Sequence, residues 1–178
     1  GQADAPVTVI EYASFTCSHC ANFHEENLPK LKAEYIDTGK VKFIQRDVYF
    51  DAVGLWAGIL ARCGGDDKYY AVSDMIMGEQ KTWLAASDGD GIAANLRKIG
   101  AKAGMTAEQM DACWNDKQKV ADLIATFQKN ATADERSPHA RRTRARVHRR
   151  DQALRAGAGG RRAHAARGAG HRDRLPRP

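Results

Sequence analysis

The feature that most constrains this chain is a pair of cysteines at the point where an apolar run gives way to a helical pattern. Residues 7–15 form the apolar run, and the motif Cys17-Ser18-His19-Cys20 follows it almost at once. Two thiols three residues apart at a helix start lie close together, and the free N–H groups and positive dipole end there favour a thiolate. Half of a zinc site or a buried structural disulfide also uses such a pair. The strand before it and the helix after it favour a redox site with Cys17 as the nucleophile.

The amino-acid composition changes abruptly near residue 135. Residues 1–135 carry 14 basic and 20 acidic side chains, a net charge of −6, whereas residues 136–178 carry 14 Arg, no Lys and 2 acids, a net charge of +12. The second segment has too few large apolar residues to build a core. We therefore expect one folded domain over residues 1–135 and a disordered, non-globular, Arg-rich tail over residues 136–178.

Three interpretations of this basic tail remain open. A disordered arm of this kind binds phosphate or acidic partners, nucleic acid included, through its charge. It can equally be a solvated extension without a role. The third interpretation is a slipped reading frame near Arg136, because GC-rich DNA read out of register encodes Arg, Ala, Gly, His and Pro with almost no Lys or aromatic residues. We favour the frame shift, and expect no nucleic-acid partner unless the tail is genuine.

Length and hydropathy limit the possible classes of protein. The 135 residues before the tail suffice for one domain with its own core. No stretch approaches the roughly 20 apolar residues of a membrane span, so we expect no membrane insertion. The chain begins at Gly1 without a leader, and we expect any export signal to have been removed or never to have existed. No P-loop, metal-binding box or Ser-His-Asp arrangement is visible, so neither a cofactor nor a metal is expected.

A strand, a helix and a second strand are predicted in the first third of the chain. The apolar run is the first strand, and residues 17–38 show a helical spacing that Pro29 interrupts and Gly39 ends. Residues 41–48 are rich in β-prone side chains. Because a strand-helix-strand unit of this length implies a parallel pair, this segment begins an α/β sheet.

From Asp51 onward the apolar residues recur at the helical period. They predict amphipathic helices that pack on one another, at Ala52, Leu55, Ile59 and Cys63, at Tyr69, Val72 and Ile76, at Ile92, Leu96, Ile99 and Ala103, and at Val120, Leu123, Ile124 and Phe127. Thr106 and Gln109 fit a capping box that opens another short helix, and residues 89–91 are predicted to be a turn. Nothing after the last helix supplies the further strands that a stable sheet requires, so C-terminal strands are expected to be absent.

Taken together, these elements resemble the thioredoxin fold of the DsbA family of thiol:disulfide oxidoreductases. The resemblance covers residues 5–135, and its most specific stretch is Glu11-Tyr12-Ala13-Ser14-Phe15-Thr16-Cys17-Ser18-His19-Cys20-Ala21-Asn22-Phe23-His24, which is similar to the active-site strand and helix of that family. It implies an α/β, thioredoxin-like fold with an inserted α-helical subdomain at about residues 50–115. Ser18 stands where the family commonly has proline, so the resemblance carries over the chemistry and not the redox potential.

The resemblance assigns roles to residues around the motif. It implies that Cys17 attacks, that Cys20 resolves the mixed disulfide, and that His19 stabilises the attacking thiolate by a hydrogen bond or a positive charge. Glu11 matches a buried acid of the family, and a buried carboxylate near the thiols can move protons. Two plainer interpretations stay open, namely a solvated His19 and a Glu11 at a strand edge facing water. His24 is expected to be a surface residue of the helix.

The other two cysteines, Cys63 and Cys113, each lie on the apolar face of a predicted helix in the insertion. Similar proteins from some bacteria carry a second, non-catalytic disulfide in that subdomain, so the resemblance implies that these two residues pair. Paired cysteines are typical of an oxidising compartment. The alternative is two separate buried thiols that act as small apolar side chains. A four-cysteine zinc site is disfavoured, because neither outer cysteine has a close partner in the sequence.

The function implied by the resemblance is that of a periplasmic dithiol oxidase, which introduces disulfides into reduced or unfolded exported proteins and is reoxidised by a membrane quinone-linked partner of the DsbB type. A stabilised Cys17 thiolate agrees with an oxidase, because an enzyme that favours its reduced form passes its disulfide to other proteins. A reductase or isomerase stays open. So does a non-catalytic, truncated or frame-shifted product, since the Thr-Pro or Val-Pro step, the two strands and the helix that close the family's fold are not visible after residue 135.

Overall fold

Two parallel strands form the sheet on which the functional site is built. The structure is a computed structural model that describes residues 1–135. β1 spans Val7–Ala13 and β2 spans Val41–Asp47, and the first residues of the two strands face each other, as do the last. Both strands contain β-branched and aromatic side chains, which suit a pleated surface. The predicted parallel pair is confirmed.

The crossover between the strands is helical but broken, as Pro29 predicts. α1 spans Ser18–Glu26 and α2 spans Leu28–Leu31, followed by a π-helical turn at Lys32–Ile36. Pro29 lies in the first turn of α2, where its missing N–H leaves no helical hydrogen bond unmade. Gly39 then adopts φ +75°, a left-handed conformation that glycine takes at little cost, and the chain turns into β2.

In residues 1–135, six further helices follow β2 and confirm the predicted helical insertion. They are α3 (Ala52–Cys63), α4 (Tyr69–Gly78), α5 (Gln80–Trp83), α6 (Gly89–Lys102), α7 (Ala107–Asn115) and α8 (Lys117–Glu135), with a 3₁₀ turn at Asp66–Lys68. The same part of the chain contains no strand besides β1 and β2. None of its helices is both long and apolar enough to cross a membrane.

Side-chain caps fix where two helices of the insertion begin. Thr106 and Gln109 form the predicted capping box of α7, with hydrogen bonds of 3.2 Å and 2.9 Å. The prediction of a turn at residues 89–91 is wrong, because the carboxylate of Asp88 accepts the N–H of Gly91 (2.7 Å) and these residues become the first turn of α6. A cap of this kind stabilises a helix by about 1 kcal/mol.

The hydrophobic core lies between the end of β1 and the helices of the insertion. Its fully buried members are Ala13, Phe15, Ala57, Leu60, Ala61, Val72, Ile76, Met77, Trp83, Leu96 and Ile99. Each large apolar side chain contributes about 1.5–3 kcal/mol when it leaves water. Gly100 lets α6 approach α7 closely, since a Cβ there would clash with the sulfur of Met110. Phe15 anchors the segment just before the Cys-x-x-Cys motif in this core.

A buried polar cluster ties the end of β2 to the insertion. The carboxylate of Asp47 accepts hydrogen bonds from Arg62, from Tyr49 (3.1 Å) and from Tyr69 (2.5 Å). The Arg62 guanidinium also lies 4.2 Å from the ring centroid of Tyr69. Burial raises the pKa of both tyrosines, so they stay neutral donors. Breaking such a buried ion pair typically costs about 3–5 kcal/mol, so this cluster fixes β2 against α3 and α4.

A disulfide joins α3 to α7. Cys63 and Cys113 are bonded to each other, with Cα atoms 5.8 Å apart and a sequence separation of 50. These are the two residues whose pairing the family resemblance implies. Because each sulfur is bonded to the other, neither is a free thiol or a zinc ligand.

The tail expected from composition lies outside the described residues. Its disorder, its binding of acidic partners and the frame shift near Arg136 stay predictions, as does the domain boundary at residue 135. Contacts place Gly1–Asn130 in one unit, and every residue of the site described below belongs to that unit.

Candidate active site

Cys17 is the N-cap residue of α1. Its backbone is extended (φ −87°, ψ 116°), its N–H donates to the carbonyl of Ser14 (3.1 Å), and its own carbonyl accepts the N–H of Ala21 (3.1 Å). No side chain caps this end of the helix, so the N–H groups of the first turn are left for another acceptor. Those of His19 and Cys20 are placed to donate to a thiolate at Cys17.

This geometry lowers the pKa of the Cys17 thiol from its ordinary value of 9.0. The backbone N–H of Cys20 is the largest cause. Partial burial of the sulfur acts against it, and the thiol of Cys20 and the backbone N–H of His19 lower the pKa further. Each of these donors binds the thiolate better than the thiol. Cys17 is therefore the more nucleophilic of the two sulfurs at neutral pH.

Cys20 has the opposite character. It is half-buried one turn into α1, and burial raises the pKa of its thiol to about 11. The backbone N–H of Ser14 lowers that pKa in part, whereas a thiolate at Cys17 and the carboxylate of Glu11 raise it. Both cysteines are free thiols in this structure. Their unequal pKa values separate a sulfur suited to attack from one that stays protonated at neutral pH.

His19 lies on the exposed side of α1. Its backbone N–H is among the groups that stabilise the Cys17 thiolate. Any residue other than proline supplies an N–H at this position. The contribution of the imidazole ring to that stabilisation therefore stays a prediction.

Glu11 and His24 form a sheltered ion pair near the cysteines. The Glu11 carboxylate lies 3.0 Å from Nε2 of His24, and its side chain is only 14% exposed. The other ring nitrogen, Nδ1, lies 3.2 Å from a carboxylate oxygen of Asp74 in α4. Burial of the ring lowers its pKa, but the hydrogen bonds to Asp74 and Glu11 outweigh burial and raise the pKa of His24 to about 9. The ring is therefore an imidazolium between two carboxylates at neutral pH.

This arrangement decides between the two interpretations of Glu11 and corrects the expectation for His24. Glu11 is sheltered and paired, so it is not a strand-edge glutamate facing water. The prediction that His24 is a surface residue is wrong, because Glu11 from β1 and Asp74 from α4 enclose its ring. Cys20 and His24 are four residues apart and so share one face of α1. That spacing is the signal in the sequence that points to His24.

Gln80, at the start of α5, is a further site residue that the sequence does not indicate. Its buried side-chain amide donates to the carbonyl oxygens of Phe15 (2.8 Å) and Cys17 (3.0 Å). These carbonyls flank the turn that leads into α1. The insertion thereby holds the backbone of the attacking cysteine, although 63 residues separate the two positions. No local pattern predicts a contact at this distance along the chain.

Thr16, directly before Cys17, is held by Asp51. The Thr16 hydroxyl donates to one oxygen of the Asp51 carboxylate (2.7 Å), and the other oxygen caps α3 by accepting the N–H of Gly54 (2.6 Å). Ser14 Oγ accepts the N–H of Thr16 (3.3 Å) and lies 3.1 Å from its hydroxyl. The turn between β1 and α1 is therefore fixed from α3 as well as from α5.

The side chains of this site are suited to thiol chemistry and to proton transfer. Among the side chains of residues 1–135, no group of three or more His, Cys, Asp or Glu is placed to hold a metal ion. The site offers a stabilised thiolate, a protonated thiol one turn away and a sheltered carboxylate, that of Glu11, which raises the pKa of that thiol. These are the groups that thiol-disulfide exchange requires, since one sulfur attacks, the other resolves and a base takes up the proton.

Known proteins resemble this chain over the same residues. The family described as Thioredoxin matches residues 1–137. A protein of Rickettsia bellii named as a protein-disulfide oxidoreductase is 34% identical over 126 residues, which are 70% of this chain and 48% of that protein. The thiol:disulfide interchange protein DsbA of Escherichia coli K12 is 34% identical over 139 residues, which are 74% of this chain and 62% of that protein. The chain thus spans about half to three fifths of the length of these relatives.

Solved structures have a similar fold. The crystal structure of α-DsbA1 from Wolbachia pipientis superposes with a TM-score of 0.64 at 32% sequence identity, and the match covers 72% of this chain and 64% of that one. A protein-disulfide isomerase from Novosphingobium aromaticivorans matches with a TM-score of 0.66 at 23% identity, over 72% of this chain and 76% of that one. The second likeness concerns the fold alone.

Proposed function

Since this chain belongs to the DsbA family of thioredoxin-fold proteins, we propose that it exchanges disulfides with other proteins through Cys17 and Cys20. The observation that carries the proposal is the position of Cys17 at the N-cap of α1, where backbone N–H groups lower the pKa of its thiol. A second thiol one turn away, which burial keeps protonated, completes the reactive pair.

In the oxidising direction, a substrate thiolate attacks Sγ of Cys17 in the Cys17–Cys20 disulfide. The bond from the substrate sulfur to Cys17 forms, the bond to Cys20 breaks, and Cys20 leaves with the electron pair and takes up a proton. A second substrate thiolate then attacks the substrate sulfur of the mixed disulfide and releases Cys17 as a thiolate. The substrate loses two electrons and gains a disulfide, and the two cysteines of this chain are reduced.

Oxidation of the substrate is the direction we propose. A stabilised Cys17 thiolate lowers the free energy of the reduced pair, and a sulfur with a low pKa leaves a mixed disulfide readily. A reductase or isomerase uses the same two sulfurs in the opposite sense, with Cys20 as the thiol that attacks the mixed disulfide. The redox equilibrium of the cysteine pair and its protein partner decide between the two directions. The experiment below measures which direction this chain supports.

Two neighbours are proposed to assist the sulfurs. Glu11 exchanges a proton with Cys20, since its charge raises the pKa of the Cys20 thiol and a sheltered carboxylate is a suitable base. His19 adds its exposed imidazole to the stabilisation of the Cys17 thiolate, together with the backbone N–H that it already supplies.

The proposed substrates are reduced or unfolded exported proteins. The proposed oxidant of the reduced pair is a membrane quinone-linked protein of the DsbB type, by analogy with the family. A periplasmic location agrees with the Cys63–Cys113 disulfide, because structural disulfides form and persist in oxidising compartments.

Oxidation of a reduced, unfolded test protein that needs one disulfide for activity tests the proposal. The chain is oxidised, freed of small-molecule oxidant and mixed with the test protein. We expect the test protein to regain activity in proportion to the chain added, and Cys17→Ala to abolish this. Cys20→Ala is the matched variant. It keeps the attacking sulfur and should accumulate a mixed disulfide with the oxidised test protein on a non-reducing gel.

Two other outcomes would redirect the proposal. A chain that leaves the test protein reduced, but in its own reduced form speeds the rearrangement of wrong disulfides, acts as a reductase or isomerase. A Cys20→Ala chain that forms no mixed disulfide at all would show that Cys17 does not exchange, and would favour the non-catalytic product.

A further inference from the structure

His24 occupies a place in the site that the exchange reaction described above does not use. Both ring nitrogens are engaged, Nε2 with Glu11 (3.0 Å) and Nδ1 with Asp74 (3.2 Å). The imidazole is sheltered, with 3% of the His24 side chain exposed, whereas the side chain of Asp74 is 61% exposed. The ring thus links a protected carboxylate, that of Glu11, to one that meets solvent, that of Asp74.

We propose that His24 is a positioning residue that holds the Glu11 carboxylate in place for proton exchange with Cys20. This role rests on the proposed exchange function and adds the group that controls its protonation step. A charge-assisted hydrogen bond at 3.0 Å from the imidazolium fixes the orientation of this carboxylate. Asp74 in turn holds the ring from α4, so that β1, α1 and α4 meet at one histidine.

The exchange reaction requires this control because Cys20 loses a proton when it attacks a mixed disulfide and gains one when it leaves the Cys17–Cys20 disulfide. When Cys20 resolves a mixed disulfide, the Glu11 carboxylate accepts its thiol proton and Cys20 Sγ attacks Cys17 Sγ. The Cys17–Cys20 bond forms, and the partner sulfur leaves with the electron pair as a thiolate. This step requires the Glu11 carboxylate to hold one position, and the ion pair with His24 provides that position.

A cleft of about 460 Å³ borders the Asp74 side of the ring. His24 and Asp74 line it, together with the hydroxyl-bearing side chain of Tyr70 from α4. Lys32 and Asp37 also line the cleft, but they form an ion pair with each other (2.7 Å). Asp74 is thus the charged partner of His24 on the cleft side, and Glu11 binds the opposite ring nitrogen.

Release of glutathione from a mixed disulfide with Cys17 tests the role of His24. The mixed disulfide is held in acid, and a pH jump starts the attack by Cys20. Rates are compared for wild type, His24→Gln, Glu11→Gln and the double variant. Glutamine keeps a hydrogen-bond donor but not the charge, so it holds the Glu11 carboxylate less firmly. We expect His24→Gln to release glutathione about tenfold more slowly at neutral pH, and the difference to narrow as pH rises through 9, where the wild-type ring loses its charge.

The double variant separates positioning from general damage. If His24 acts through Glu11, His24→Gln has no further effect when Glu11→Gln is already present. Glu25→Gln, which removes a charge at the exposed next position of α1, serves as the control and should release glutathione at the wild-type rate. His24→Lys retains the charge and is expected to release glutathione at close to the wild-type rate at neutral pH, which gives a second test if His24→Gln does not fold.

Equal slowing by His24→Gln at every pH, or equal slowing with and without Glu11, would overturn this role, because a packing defect behaves in that way. A rate of glutathione release in His24→Gln equal to that of wild type also overturns the role of His24, while the exchange function stands. A wild-type chain that releases no glutathione shows instead that the proposed exchange function is wrong.

Discussion

The side-chain amide of Gln80 lies 3.0 Å from the carbonyl oxygen of Cys17 and donates a hydrogen bond to it. Cys17 belongs to the crossover between the two strands, whereas Gln80 belongs to the helical insertion. Through this contact and its companion at Phe15, the insertion holds the turn that places the attacking sulfur at a helix start. The site is therefore assembled from both parts of the fold.

Replacement of Gln80 tests that connection. Gln80→Leu keeps a side chain of similar size but removes both donors. We expect the free energy of unfolding to fall by about 1–3 kcal/mol, because the buried Phe15 carbonyl loses its partner, and the pKa of Cys17 to rise as its backbone loses a fixed position. Urea unfolding and thiolate absorbance measure the two effects. Lys81→Ala, at the exposed next position of α5, is the control, and an equal loss there would count against a specific contact.

The two thiols are expected to differ in their rates of alkylation. In the reduced chain at neutral pH, iodoacetamide should modify Cys17 quickly and Cys20 slowly, because the pKa of Cys17 is lowered and burial raises the pKa of Cys20 to about 11. Brief exposure followed by peptide mass spectrometry reads both sites. The difference should shrink in strongly alkaline solution. Faster modification of Cys20 at neutral pH would reverse the assigned roles of the two sulfurs.

Stability is expected to fall in alkaline solution as His24 loses its proton. Burial lowers the pKa of the ring from 6.5, but the bonds to Asp74 and Glu11 raise it to about 9 in the folded chain. The folded state then holds this proton more tightly than the unfolded state. The contribution, up to about 3 kcal/mol, is fully present below pH 6.5 and is lost as pH rises through 9. Urea unfolding of wild type and His24→Gln measures it. The difference between them should close over that range, and a constant difference would contradict the linkage.

Removal of the second disulfide should affect stability and spare exchange. The double variant Cys63→Ala with Cys113→Ala opens a loop whose ends are 50 residues apart, which on the chain-entropy view costs about 3–4.5 kcal/mol of unfolding free energy. Urea unfolding measures the loss, and mixed-disulfide formation at Cys17 below the unfolding transition measures the chemistry. A folded double variant without exchange would show that this disulfide shapes the reactive site as well.

The parts of the site that the sequence predicts are the local ones. The position of Cys17 and Cys20 at a helix start follows from an apolar strand, a spacing of three residues and a helical pattern, all within one short segment. The break at Pro29 and the parallel strand pair follow from similarly local rules, since proline fixes its own backbone and a single crossover fixes strand direction.

Contacts between distant elements lie beyond such rules. Gln80 reaches Cys17, and Asp74 reaches His24, only because α4 and α5 pack beside α1. A polar residue late in a short helix usually faces solvent, so the expectation for His24 fails when two carboxylates from other elements enclose it. At residues 89–91, likewise, the cap from the preceding aspartate outweighs the turn preference of glycine.

The decisive measurement is the ultraviolet absorbance of the thiolates as the reduced chain is titrated with base. If the N-terminus of α1 stabilises the Cys17 thiolate, one transition has its midpoint below 9.0, and Cys17→Ala removes it while the higher transition, that of Cys20, remains. A Cys17 midpoint at or above 9.0 in the folded chain would contradict this, because Cys17 would then be an ordinary thiol with no preference for attack or for the reduced state.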